Sequence, residues 1–142
     1  MVKTIPTLAF PKPAKKEKYT QKKADELYSK IIRLERGTCQ AKQYTKCSCG
    51  GRLQNAHIVG RGRSKLRYDD RNCLCLCAGH HRYFHSNPDL FWYEFLPTYY
   101  PKELEYVLAN NQLLDKRLDY KQLTVSLRER LATLQDKLDM VR

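Results

Sequence analysis

The chain has 142 residues, 42% of them apolar, and a formal charge of +12. That length suits one compact domain with tails, and no stretch is apolar enough to span a membrane. The charge is lopsided: residues 1–67 hold 17 Lys/Arg against 4 Asp/Glu, whereas residues 68–142 hold 10 against 11. Such a field suits a polyphosphate partner, because each neutralised phosphate releases counterions.

Residues 1–20, rich in Pro and Lys, read as a flexible basic arm. MVKTIPTLAFPKPAKK has no long apolar run and is broken by prolines, so it is not a secretory signal. The expected location is cytoplasmic, where the six cysteines are not expected to pair as disulfides and those near histidines more often bind metal. Ala24, Leu27, Tyr28, Ile31, Ile32 and Leu34 recur at helical spacing, predicting a helix that ends at Arg36 before Gly37. A loop-rich stretch with Cys39, Cys47, Cys49 and Gly50-Gly51 follows. Arg52 to Val59 suits a short strand, and residues 72–77 (NCLCLC) a second. Between them, Gly60 and Gly62 mark a loop crowded with Arg61, Arg63, Lys65 and Arg67. Ala78 to His85 should be helical, which puts His81 and His85 on one face. Asn87-Pro88 reads as a cap with proline at the first helical position. LFWYEFL, residues 90–96, offers apolar mass to a core, and Pro101 opens a helix through Leu104, Val107 and Leu108. Asp119 with Gln122 resembles a capping box for a last helix. Its Leu127, Leu131, Leu134, Leu138 and Val141 form a heptad seam, serving either packing within the chain or a homodimer.

All four histidines, His57, His80, His81 and His85, fall within this central stretch. Cys77 and His80 have the C-x-x-H spacing of two ligands on one zinc, and two more must complete a tetrahedron. Cys49, beside two glycines, is the best third. The fourth is Cys39 or Cys47; Cys47 lies only two residues from Cys49, a poor chelate, which favours Cys39. Cys73 and Cys75 alternate with leucines and read as buried apolar residues. His81 and His85 can reach one cation together, and His57 can serve as a general base. Arg61, Arg63, Lys65 and Arg67 would grip flanking phosphates.

The stretch CGGRLQNAHIVGRGRSKLRYDDRNCLCLCAGHHRYFHSNP resembles the HNH endonucleases, and within them the small bacteriophage-type proteins; the likeness covers about residues 24–108. The three letters of the family name fall on His57, Asn72 and His81. The resemblance implies an α+β fold, a ββα-metal finger with a zinc knuckle flanked by N- and C-terminal helices. It implies a DNA endonuclease in which His57 activates water, Asn72 braces the loop that orients it, and His81 and His85 hold a divalent cation, Mg²⁺ foremost. Structural zinc would sit at Cys39, Cys49, Cys77 and His80. The organisation expected is a basic arm over 1–20, the nuclease domain with its flanking helices over 21–112, and a C-terminal helix over 113–142. One departure stands out: many family members carry His or Asp just before the base, where this chain has Ala56. Either two histidines with water and DNA phosphate would hold the cation, or a neighbouring group such as Asn55 would substitute. The rival reading is a zinc-stabilised DNA-binding module without catalysis, which fits every feature except the His57, Asn72 and His81 set.

Overall fold

The structure, a computed structural model, describes residues 11–12, 18–62, 64–114 and 117–141. Of the arm expected over 1–20, only residues 11, 12 and 18–20 are among them, and Arg63 of the basic loop is not. The chain is α+β. Helix α1 (Gln21–Arg36) precedes strands β1 (Leu53–His57) and β2 (Cys73–Cys77). Helix α2 (Ala78–Ser86) follows β2 with no linker. A short turn α3 (Pro88–Leu90), a π-helical stretch Phe91–Phe95, and α4 (Leu96–Tyr99) lead to α5 (Pro101–Asn110) and α6 (Tyr120–Met140).

Local chemistry sets the ends of α1. The Thr20 hydroxyl accepts a hydrogen bond from Lys23 N, and Gly37 takes the left-handed conformation (φ 71°) that closes the helix. The apolar stripe Ala24, Tyr28, Ile31 and Ile32 is buried. The two strands pair antiparallel, from Leu53 opposite Cys77 to His57 opposite Cys73.

Every residue of β2 is buried because the sheet is covered on both faces. Cys73 and Cys75 pack with Tyr28, Ile31 and Ile32 of α1 and Leu127 of α6. Leu74 and Leu76 pack with Phe84, Phe91, Phe95, Leu96 and Val107. Alternation along one five-residue strand therefore feeds two cores. Cys73 and Cys75 are packing residues, as their spacing suggested, and burial pushes the Cys73 thiol up to about 12. The far edge of β2 is closed by Gln40, whose backbone N–H donates to Cys75 O (2.7 Å) and whose side-chain carbonyl accepts from Cys75 N (2.8 Å).

One expectation changes. Asn87 does not cap α3 with its side chain; its Nδ2 donates to Tyr83 O at 2.9 Å, closing the end of α2. Of the two readings of the C-terminal seam, the start of α6 follows packing within the chain. Leu127 is buried, and Leu131 and Leu134 pack against the α1 core. The seam's first three leucines are thus used within the chain, while Leu138 and Val141 are exposed. Arg130 fastens α6 to Glu35 of α1 (2.8 Å) and to Asp70 (2.7 Å). Among the described residues, no helix is long and apolar enough to cross a membrane.

Candidate metal centre and histidine cleft

The start of α2 gathers four ligand atoms. Cys39, Cys49, Cys77 and His80 bring three sulfurs and one imidazole nitrogen within 4.8 Å of one another. Nδ1 of His80 lies 3.7, 3.6 and 3.2 Å from the sulfurs of Cys39, Cys49 and Cys77. Around a tetrahedral zinc, with bonds of about 2.3 Å to sulfur and about 2.05 Å to nitrogen, the S···N edge is about 3.6 Å. The cluster fits that ion, and Cys47 stands outside it. His80 is fully buried, and its Nε2–H donates to Tyr44 O at 3.1 Å. That bond fixes the tautomer and leaves Nδ1 as the bare ligand atom.

The surrounding backbone is built for this approach. Cys77 is the N-cap of α2, and its sulfur accepts from His80 N at 3.3 Å. Burial alone would raise the Cys77 thiol, but the amides of His80 and Gly50 and the His80 ring hold it down to about 6. Partial desolvation, then the neighbouring sulfurs of Cys39 and Cys77, push the Cys49 thiol up to about 11. The loop before β1 reaches the same helix end: Ala78 N donates to Arg52 O and Gly79 N to Gly50 O, both at 2.9 Å. Gly51 sits at φ 81°, and a side chain there would meet Ala78 Cβ at 2.7 Å. Glycine is therefore required at position 51 by both backbone conformation and close packing.

His57, His81 and His85 face elsewhere. They line one open cleft of about 550 Å³ that also takes in Arg33, Arg52 and Arg61. His57 stands at the end of β1, half-buried, and its Nε2–H donates to Arg67 O at 2.8 Å. In the neutral ring the lone pair is then on Nδ1. Burial lowers the His57 pKa below the ordinary value; the Arg67 carbonyl works against this, and the charges of Arg61 and Arg67 lower it further. The base form is thus the resting form at neutral pH.

On α2, His81 Nδ1–H donates to Gln54 Oε1 at 2.7 Å, which puts the His81 lone pair on Nε2. Nε2 of His85 lies 3.1 Å from it. Two cis nitrogens on a cation with bonds of about 2.1 Å stand about 3.0 Å apart, so this pair has the spacing of a divalent-ion clamp. Burial, then the charges of His85, His57 and Arg61, keeps His81 below its ordinary pKa and hence unprotonated for ligation.

Asn72 is completely buried and does not line the cleft. Its Oδ1 accepts from Val59 N (2.8 Å), and its Nδ2 donates to Val59 O (3.2 Å) and Leu66 O (3.1 Å). It clamps both ends of the loop between the strands.

The basic loop divides. Arg61 has a side chain 60% exposed and lines the cleft. Lys65 is exposed but borders a different depression, with Arg71 and Arg130. Arg67 corrects the expectation of a phosphate-gripping residue. It is buried and committed to Asp25 through two bonds, Nε–Oδ1 at 3.0 Å and Nη2–Oδ2 at 2.5 Å, and Nη1 donates to Arg61 O at 2.9 Å. Its carbonyl, not its guanidinium, meets His57. Arg63 lies outside the described residues.

Sequence reasoning missed Asp25, Arg33, Arg52 and Gln54. Only Gln54 left a signal, since it shares the α2-facing side of β1 with Ala56. Ala56 itself is buried in the core and offers no ligand. Asn55 lines the cleft, and its Oδ1 is buried with no hydrogen-bond partner among the described residues. No protein-family model matches this chain, and no curated protein or solved structure matches it either.

Proposed function

We propose that this chain is a metal-dependent endonuclease of the HNH type, hydrolysing DNA phosphodiester bonds. One observation carries the reading. A histidine held as a neutral base shares a basic-walled cleft with a pair of histidines whose Nε2 atoms lie 3.1 Å apart. A non-catalytic DNA-binding module has no need of that set.

The chain's own groups divide the work. Arg33, Arg52 and Arg61 attract and orient the phosphates of a strand laid along the cleft. His57 Nδ1 takes the proton from water as its oxygen attacks phosphorus, and the Arg67 carbonyl stabilises the imidazolium that results. Asp25 holds Arg67, and Asn72 holds the loop, so the base keeps its aim through folded contacts rather than substrate contacts. His81 and His85 would hold a divalent cation, with Mg²⁺ the foremost candidate, which would supply positive charge to the scissile phosphate and the departing oxygen. Zinc at Cys39, Cys49, Cys77 and His80 would act on stability alone.

The test is nicking of supercoiled plasmid with added Mg²⁺. Wild-type protein is expected to relax and linearise it. His57→Ala is expected to fold and bind DNA but to cut about 10²–10⁴-fold more slowly. Equal cutting by that variant would overturn the mechanism, and DNA binding without any cutting by the wild type would favour the binding module.

A further inference from the structure

The same three histidines border a second cavity of different character. It measures about 170 Å³ and shares His57, Gly60, His81 and His85 with the basic cleft. Its other walls are apolar: Ile58, Leu76, Phe84, Pro88, Phe91 and Trp92. Trp92 is only half-buried and meets Phe91 edge-on, with ring centroids 5.8 Å apart and planes at 79°. It lies in the π-helical stretch Phe91–Phe95, a winding that recurs at functional sites.

The two cavities meet at the candidate base and cation clamp, and their chemistries are complementary in the way the parts of one nucleotide are. The cleft is cationic and suits phosphate. The smaller cavity is apolar, carries an accessible indole, and is below the roughly 300–1,000 Å³ typical of sites for whole drug-sized ligands. A single ring system is the appropriate occupant.

We infer that this apolar pocket receives one unpaired nucleobase of the DNA strand whose phosphates lie in the histidine cleft, stacked against Trp92. The inference rests on the nuclease reading and sharpens its substrate. A base inside a duplex cannot leave its stack without cost, whereas a base in a single strand, gap, flap or bubble can. The protein therefore prefers DNA with single-stranded character at the site of cutting.

Trp92 is the only tryptophan in the chain, so its fluorescence reports this pocket alone. The probe is single-stranded oligothymidylate, titrated into wild-type protein without added divalent cation. A matched strand of abasic nucleotides has the same sugar–phosphate chain and no bases. Quenching by oligothymidylate and none by the abasic strand is the expected result. Trp92→Ala should weaken oligothymidylate binding about tenfold, the size of one lost base–aromatic stack. Trp92→Phe, which keeps a ring and guards against a folding defect, should restore most of it. Affinity for intact duplex should change less than about twofold in both variants, because the phosphate contacts are untouched.

Equal quenching by both strands, or binding of oligothymidylate with no quenching, overturns the base pocket. Plasmid nicking reads the other question. Nicking without base-dependent quenching leaves the nuclease standing and removes the pocket. Quenching without nicking leaves a single-strand-binding site and removes the nuclease.

Discussion

His80 and His81 are neighbours in sequence and opposites in environment. One step along a helix turns a side chain by about 100°, so consecutive residues at the start of α2 face different sides. His80 is fully buried, meets three sulfurs and spends its second nitrogen on Tyr44. His81 faces the open cleft, with its second nitrogen on an exposed glutamine and one further imidazole beside it. The first arrangement is closed, with four candidate ligands from three separate segments. The second would supply two and would leave room for solvent and substrate. Closed sets stabilise folds, and open sets leave positions for chemistry. One nine-residue helix thus serves as both the anchor of the fold and the wall of the cleft.

The sharpest way to break the comparison is to remove one ligand from each set. Cys77→Ser should abolish cooperative thermal unfolding, followed by circular dichroism. Structural zinc contributes about 10–16 kcal/mol in small zinc-dependent peptides, as much as the about 5–15 kcal/mol that holds a whole domain together. A melt within a few degrees of wild type would show that the cluster holds no ion. His85→Ala should do the reverse. His85 is exposed, so its loss should change stability by no more than about 0.5 kcal/mol and leave zinc content unaltered. Cleavage should fall by more than the roughly 10–100-fold that follows loss of an outer-shell partner of a metal. Metal analysis and nicking on the same sample decide it.

The anchor was more legible in the sequence than the cleft. Cys77 and His80 announce themselves by spacing, Cys49 by its glycines, and α2 by the four-residue step from His81 to His85. Each of these signals lives within a few residues. What the sequence hid depends on distant partners. Arg67 sits in a run of cations and reads as one more of them, yet Asp25, 42 residues away, takes it out of solvent. A heptad seam looks the same whether its partner is another chain or α1, and only packing shows that Leu127, Leu131 and Leu134 are spent at home. The π-helical winding that carries Trp92 has no local signature. The aromatic run was readable as core mass, but the cavity beside it is left by side chains from β1, β2 and α2.

The smallest effect concerns acid, and it separates the cleft from the anchor without removing any ligand. His57 has a folded pKa below the roughly 6.5 of an unfolded chain, chiefly because burial disfavours the imidazolium. Above about 6.5 the ring is neutral in both states and its contribution to stability is fully present. As pH falls below that value the unfolded chain binds the proton first, so stability declines through the window between the two pKa values and then levels off. His57→Gln, which cannot titrate, should flatten the part of the urea midpoint-versus-pH curve that His57 causes, while leaving the curve above neutrality unchanged. The activity profile should follow the same group. kcat/KM of the wild type should hold down to below pH 6.5 and fall on the acid side, since the free base is what takes the proton. An acid limb starting above 6.5 would mean that His57 is not held neutral by its surroundings, and the base would have to be sought elsewhere in the cleft.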